Sequence, residues 1–170
     1  MFKYLFSLIV LVLFVSCGYK PSSKFARDVL GEKVSTSIVI SMQDPENTVI
    51  IKDAVDEAVI EVFHASLVDK ESSDSHLVLN ISDPVYVPVV YDKDGFVVGY
   101  RMSLVLNIVR YKDGKSKRYV TSGAYDFEVA PNAVVTDKER FDAIRFSAQK
   151  AIKSFISQIS AEGAREQKGK

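Results

Sequence analysis

The sequence predicts an α+β fold, a two-layer sandwich in which two helices pack on one face of a four-stranded mixed sheet. Apolar residues alternate with a period of two in four segments, which is the pattern of half-buried strands. Two longer segments carry a single apolar stripe at helical spacing. The order is strand, helix, three strands, helix, and one face of a sheet covers both stripes most economically.

The first half of the domain predicts a strand–helix–strand unit. Residues Val34 to Met42 alternate as a strand, and an apolar stripe predicts a helix from about Thr48 to Ala65, capped by Asn47 or Thr48. A second strand is predicted from His76 to Ser82. A helix between two strands most simply joins them as parallel neighbours through a right-handed crossover.

The second half predicts a long β-hairpin. Alternation runs from Tyr100 to Ile108, and Asp113-Gly114 has the composition of a type I′ turn, in which both central residues take positive φ. Because the turn lies at 113 and 114, paired residue numbers sum to 227. This register puts the apolar positions of both strands on one face and places Arg101 opposite Asp126 on the other, a favourable cross-strand pair.

The last predicted element is a helix from about Asp137 to Ala161. Thr136 and Glu139 have the spacing of a capping box, which satisfies two backbone amides at the start of a helix. Gly163 is the predicted stop. The polar tail from residue 163 to residue 170 is expected to fray.

The N-terminus has the form of a bacterial lipoprotein signal. One positive charge at Lys3 precedes an apolar run from Leu5 to Val15, and Cys17 stands where a lipobox places its acylated cysteine. The run is shorter than the ~20 residues that a transmembrane helix needs. The sequence therefore predicts cleavage before Cys17 and a lipid anchor on it, the alternative being an ordinary signal peptide that contains a buried cysteine.

The single cysteine and the residue after it refine this prediction. Cys17 is the only cysteine of the chain, so an internal disulfide is excluded and acylation accounts for the thiol. Inner-membrane retention is usually signalled by Asp directly after the lipidated cysteine, whereas this chain has Gly18. We expect the protein on the periplasmic side of the outer membrane.

One domain follows the signal. The expected organisation is a signal peptide (1–16), a lipidated N-terminus and linker (17–33), a single sandwich domain (34–162) and a polar tail (163–170). The chain has 22 basic and 22 acidic residues, and its mature part stays close to neutral. Such a balance gives no global field for nucleic acid, so no nucleic-acid partner is expected.

The mature N-terminus resembles that of a known family. Cys17-Gly18-Tyr19-Lys20-Pro21 directly after a lipoprotein signal is similar to the start of LptE-type lipopolysaccharide-assembly lipoproteins, and the order of elements is similar along the mature chain. The resemblance implies a protein that sits one-to-one in the lumen of the β-barrel translocon LptD. There it would plug the pore, assist barrel assembly and help to deliver lipopolysaccharide. It also implies lipid contacts near Lys93 and near residues 124–127, where this chain has Asp126 and no base.

No pattern in the sequence predicts catalysis or a cofactor. His64 and His76 lack the second cysteine or carboxylate cluster that a metal site would need, and we interpret them as structural or surface residues. Asp92 and Asp94 flank Gly95 in a turn without the downstream Glu of a calcium loop. We expect a binding protein and no enzyme, metal or cofactor.

A cluster of cations surrounds the predicted hairpin turn. In the 227 register Arg110 opposes Lys117 and Lys112 opposes Lys115. Like charges opposite each other are destabilising unless an anion lies near, so the cluster is a candidate site for lipopolysaccharide phosphates, although lysines also blunt exposed strands against pairing. The candidate phosphate contacts are Lys93, Arg110, Lys112, Lys115, Lys117 and Arg118.

The segment from Pro84 to Tyr91 is apolar and contains two prolines. The prolines exclude a central strand, which leaves an exposed interface loop or an edge strand that packs on its own sheet. As an interface it would touch the wall of the barrel. The candidate barrel contacts are Val85, Tyr86, Val87, Val89 and Tyr91.

Two other classes of protein stay open. One is a different outer-membrane binding lipoprotein, such as a peptidoglycan-synthase activator or a secretin pilot protein. A long linker after the cysteine would favour the activator, whereas the linker predicted here is short. The other is a periplasmic hydrolase, which the missing catalytic constellation disfavours.

Overall fold

The structure is a computed structural model that describes residues 22–40, 45–63, 67–131 and 133–168. The predictions for Cys17 and His64 lie outside these ranges. Three α-helices, five strands and one short 3-10 turn are described. They are α1 (Ser22–Leu30), β1 (Val34–Ile40), α2 (Pro45–Phe63), a 3-10 turn (Lys70–Ser72), β2 (Ser75–Ile81), β3 (Val85–Tyr91), β4 (Val97–Lys112), β5 (Lys115–Glu128) and α3 (Asp137–Lys168).

The five strands form one mixed sheet around β4. One edge of β4 pairs with β5, and the other pairs with β2 and β3, which lie end to end along it. The strand β1 continues the sheet beyond β2 as its parallel partner, as predicted for the strand–helix–strand unit. The α+β sandwich is confirmed, but with five strands rather than four, because the segment from Val85 to Tyr91 is an edge strand.

The hairpin between β4 and β5 has the predicted register. All its pairs sum to 227, from Gly99 with Glu128 to Lys112 with Lys115. The turn residues Asp113 and Gly114 have φ of 50° and 70°, as a type I′ turn requires.

The core lies between one face of this sheet and the helices. Gly123 on β5 lets the sheet approach α3 closely, since a Cβ at this position would collide with the Ser147 carbonyl oxygen. The Ser147 hydroxyl in turn donates to the Met102 carbonyl oxygen on β4 at 3.3 Å. Fully buried large side chains include Val55, Leu77, Leu79, Met102, Leu104, Leu106, Ile108, Ile152, Phe155 and Ile159.

The prediction of a linker was wrong for residues 22–30, which form α1. Ala26, Val29 and Leu30 of this helix are buried in the common core. Residues 26–30 are the part of α1 whose side chains the structure describes, and three of them are buried. A helix of nine residues has too short an apolar period to stand out from a linker, and its formation depends on tertiary packing. The domain therefore begins at α1, directly after the predicted anchor.

The ends of the two longer helices also differ from their predictions. The helix α2 begins at Pro45, so Asn47 and Thr48 lie inside its first turn, where Pro is well tolerated. The helix α3 continues past Gly163 to Lys168 because its last turns pack on α1, where the Gln167 amide donates to Asp28 at 2.8 Å.

The start of α3 agrees with the prediction. The Thr136 amide donates to Glu139 Oε2 at 2.7 Å and the Glu139 amide donates to Thr136 Oγ1 at 3.3 Å, which completes the capping box. Among the helices that the structure describes, we find none with the length and hydropathy of a membrane span.

Candidate functional site

The six candidate cations lie at two opposite ends of the sheet. Five surround the β4–β5 turn, whereas Lys93 lies in the turn between β3 and β4, next to the other end of β4. The 16 residues of β4 extend over roughly 50 Å. The structure therefore does not bring Lys93 together with the other five. We call the end with the β4–β5 turn the hairpin end and the opposite one the distal end.

Two of the five cations cap the C-terminus of α1. Arg110 Nη1 and Lys112 Nζ donate to the Val29 carbonyl oxygen at 3.0 and 2.9 Å. The last carbonyl groups of a helix have no partner within it and carry a partial negative charge, so cations are favourable there. Arg110 and Lys112 thus hold the N-terminal helix against the sheet.

Glu162 on α3 supplies the anion that the opposing cations need. Its carboxylate lies 2.8 Å from Lys117 Nζ and 3.4 Å from Arg110 Nη2, and it accepts a 2.8 Å hydrogen bond from the Tyr119 hydroxyl. Burial alone would raise the pKa of Glu162, but the hydrogen bonds from Lys117 and Tyr119 lower it overall. Burial and the bond to Glu162 raise the pKa of Tyr119. The like charges of Arg110 and Lys117 are therefore neutralised within the protein.

Lys115 and Arg118 have different surroundings. Both side chains are exposed, and the described part of the chain provides neither with an ion-pair partner. Lys115 borders an open cleft of about 530 Å³ beside the turn, together with Lys112, Asp113 and Glu166. Of the five hairpin cations, these two are available to an external anion.

A one-residue bulge before β3 determines the faces of Val85 and Val87, and further register shifts lie between Pro88 and Tyr91. Ser82 is bonded to Val105 in the β2 register, whereas Val85 already pairs with Ser103, so two residues of this chain segment lie opposite one of β4. Such an insertion exchanges the two faces of the following strand. Val85 and Val87 therefore point to the face that the helices leave open, although they continue the apolar alternation of β2.

The β3 face is the main exposed apolar surface found in the candidate segments. Tyr86 points to the core side, where its ring packs edge-on against Phe127 at 6.3 Å. The other members of the predicted contact set are exposed, and the turn after β3 adds Phe96. The exposed fractions are 54% for Val85, 48% for Val87, 41% for Val89, 47% for Val90, 59% for Tyr91 and 44% for Phe96.

The remaining candidate residues have structural surroundings. Asp92 Oδ1 accepts the amides of Asp94 and Phe96 at 2.9 Å, which makes the predicted turn. His76 Nδ1 lies 2.8 Å from the Ser35 hydroxyl, and burial lowers the pKa of this histidine. Within the described ranges no group of three His, Cys, Asp or Glu side chains is arranged to hold a metal.

Two cations from neighbouring elements contact residues 124–127. Arg101 on β4 forms a two-fold salt bridge with Asp126, with both N–O distances at 2.7 Å, as the hairpin register predicted. Lys150 on α3 donates to the Ala124 carbonyl oxygen at 2.7 Å. The segment lacks a base in sequence but has two beside it in space.

Two contributors to the site were missed in the sequence. They are Glu162 and the C-terminus of α1, which meet the hairpin cations only through tertiary packing. One signal was present for Glu162, since an acidic residue near the predicted end of a helix is unfavourable for the helix dipole and calls for a cationic partner. No signal in the sequence marks the Val29 carbonyl oxygen.

Comparison with solved structures shows which fold this chain shares with known proteins. No family model and no curated protein matches the chain. A solved structure from Caulobacter crescentus, described as a "putative lipoprotein", is similar at a TM-score of 0.52 and 10% identity over 85% of this chain and 96% of that one. Rare lipoprotein B from Shewanella oneidensis and a minor lipoprotein from Acinetobacter baumannii each match at 12% identity over 79% of this chain and 94% of theirs. Their TM-scores, 0.39 and 0.43, are too low to support an argument. The Caulobacter likeness shows a shared fold.

Proposed function

We propose that this protein is an outer-membrane lipoprotein of the lipopolysaccharide transport machinery, which binds one-to-one to an LptD-type β-barrel, assists its assembly, plugs it and aids lipopolysaccharide delivery. The observation that carries the proposal is the exposed β3 face on a small domain that directly follows a predicted lipid anchor. The resemblance of the segment from Cys17 to Pro21 supports the family, and a fold shared with a protein described as a lipoprotein is consistent with it.

The β3 face has the properties of a protein-binding surface. Four valines and a tyrosine lie exposed on one short strand, and large apolar side chains exposed close together in the chain are typical of an interface. Pro88 in the same strand lacks a backbone N–H, which disfavours pairing with a further strand. The β3 face is therefore suited to side-chain packing against a barrel wall more than to extension of the sheet.

The distribution of cations indicates which end of the sheet contacts lipopolysaccharide. Arg110, Lys112 and Lys117 are occupied within the protein, whereas Lys93 is exposed at the distal end, close in the chain to the β3 face. We assign the contact with lipopolysaccharide phosphate to Lys93, since cations bind phosphate through charge-assisted hydrogen bonds. The distal end then carries both the barrel contact and the lipid contact.

Purification of the tagged mature protein from detergent-solubilised outer membranes tests this function. The wild type should retain a large β-barrel protein in equal amount. Val87→Asp should lose it, because the charge would be desolvated at the interface. Val120→Asp changes a valine on β5 that is at least as exposed, and this variant should retain the barrel protein. Equal recovery with both variants would contradict the assigned surface. A peptidoglycan synthase or a secretin in place of the barrel would identify one of the other lipoprotein classes.

A further inference from the structure

The connection between the anchor and the domain limits which end of the molecule lies at the membrane. This inference rests on the acylated Cys17 of the proposed function. Residues 17–21 precede α1 and extend over at most ~18 Å, and the nine residues of α1 add about 13 Å. The end of α1 thus stays within about 30 Å of the anchored cysteine.

The end of α1 is fixed to the hairpin end of the sheet. Arg110 and Lys112 both donate to the Val29 carbonyl oxygen, and the Ser75 hydroxyl donates to the Leu30 carbonyl oxygen. The opposite end of β4 lies roughly 50 Å further on. The short tether therefore holds the hairpin end close to the leaflet that contains the acyl chains.

Three exposed cations without an ion-pair partner in the described ranges lie at this end. They are Arg27 on α1 and Lys115 and Arg118 on β5. Between Cys17 and Arg27 the sequence adds Lys20 and Lys24, and its first acidic residue is Asp28. Glu162 is occupied by Arg110 and Lys117. The exposed acids near this end are Asp28, which accepts from Gln167, and Glu32, Asp74, Asp113 and Glu166.

We propose that the hairpin end is a membrane-contacting surface, in which Arg27, Lys115 and Arg118 bind the phosphate groups of anionic phospholipids in the leaflet that holds Cys17. Arginine and lysine bind phosphate through charge-assisted hydrogen bonds. An exposed charge attracts a headgroup only within a Debye length, about 8 Å at physiological salt, and the tether keeps the two surfaces close enough to meet. The contact orients the domain with the β3 face away from this leaflet.

A single fluorescent label can measure this contact in the complete lipoprotein. Because Cys17 is acylated and is the only cysteine, Ser116→Cys introduces one free thiol beside the turn, and Asp94→Cys places the same label at the distal end. The labelled proteins are reconstituted into vesicles of phosphatidylethanolamine and phosphatidylglycerol that contain a headgroup spin-labelled lipid. Quenching at position 116 should exceed quenching at position 94 severalfold. It should fall to the distal level without phosphatidylglycerol or in about 1 M salt, where screening is nearly complete.

Charge variants separate this contact from simple proximity. Lys115→Ser combined with Arg118→Ser should abolish the phosphatidylglycerol-dependent quenching at position 116. Lys52→Ser combined with Lys138→Ser removes the same charge at exposed positions on α2 and α3, away from the hairpin end, and should leave it unchanged. Equal quenching at both labels, or quenching that neither phosphatidylglycerol nor the Lys115/Arg118 variant alters, would overturn the proposal.

Two further arms distinguish related outcomes. If position 116 is quenched only when lipopolysaccharide replaces phosphatidylglycerol, the phospholipid assignment is wrong. Mass spectrometry of the reconstituted protein reports the acyl chains, and their absence would overturn the anchor on which both proposals depend. Acylated protein that shows no specific quenching at position 116 but still retains the barrel would overturn the membrane contact alone.

Discussion

At the residue scale, Glu162 connects three parts of the molecule. It lies on the last helix, binds Lys117 and Tyr119 of β5, and approaches Arg110, which also caps α1. Its side chain is only 14% exposed, so solvent screens these contacts less than it screens a surface ion pair. The carboxylate makes it possible to place two cations opposite each other on neighbouring strands.

We predict that Glu162→Gln destabilises the domain by about 2 kcal/mol, in the range typical of hydrogen bonds to charged groups. The amide keeps the size of the side chain but leaves Arg110 and Lys117 without a counter-ion. For a domain of this size, thermal unfolding should shift down by roughly 4–8 °C. Glu166→Gln on the same helix is exposed and should melt within a degree or two of the wild type. Equal melting of both variants would show that Glu162 is not the required anion.

At the element scale, the contact between α3 and the hairpin determines how thick the sandwich is. Gly123 on β5 faces the backbone of α3 at Ser147 and Ala151, and a Cβ there would collide with both. The small residue thus brings helix and sheet together where Phe155 and Ile152 fill the core. The neighbouring Ser122 points to the opposite face of β5 and is exposed, so the steric limit set by the helix backbone does not apply to it.

Gly123→Ala should therefore destabilise the domain by ~1–3 kcal/mol, the cost of overpacking a core. The added methyl group displaces α3 from the sheet, because the atoms that it meets belong to the helix backbone and cannot rotate away. Urea unfolding measures the loss, with Ser122→Ala as the control for a change in strand propensity at the neighbouring position. A Gly123→Ala protein as stable as this control would indicate that the helix and sheet are further apart than described.

How well an element could be predicted depended on whether its signal is local. The β4–β5 register and the capping box of α3 follow from a turn dipeptide and a four-residue motif, and both were confirmed. The helix α1 could not be recognised, because Ala26, Val29 and Leu30 are buried only through packing in the common core with other elements. Lys93 and the hairpin cations lie at opposite ends of β4, and the sequence did not show where this strand begins. Their separation therefore could not be predicted.

At the scale of the whole molecule, β4 separates two ends with different chemistry. The hairpin end holds α1, the Glu162 contacts and the exposed cations, and the distal end holds the β3 face. Carboxylates with a lowered pKa occur along the molecule. They include Asp74, where the amides of Lys33 and Glu32 lower the pKa, Asp126 beside Arg101, and Glu162.

This distribution predicts how stability depends on pH. A carboxylate whose pKa is lower in the folded state stabilises that state above its ordinary pKa, near 4 to 4.5, and this contribution is lost as the pH falls further. Tyr119, whose pKa is raised, acts in the opposite sense and costs stability above pH 10. His76, whose pKa burial lowers, adds a smaller loss of stability as the pH falls below about 6.5. Urea midpoints should therefore be level between about pH 7 and pH 9 and fall on both sides. Glu162→Gln should weaken the acid limb, and a midpoint that rises below pH 4 would contradict the assignment.

The bulge between Ser82 and Val85 has a consequence for how this protein can change during evolution. Because β2 and β3 run along the same edge of β4, their faces are related by the number of residues between them. If both strands paired with β4 in the register of β2, Val85 would lie opposite Met102 and face the core. An in-frame deletion of Asp83 removes the extra residue but leaves Val85 opposite Ser103, so β2 and β3 would become continuous while Val85 and Val87 stayed exposed. Evolution can therefore shorten this connection by one codon without burying the apolar surface, whereas a slip of β3 by one residue along β4 would turn that surface inward.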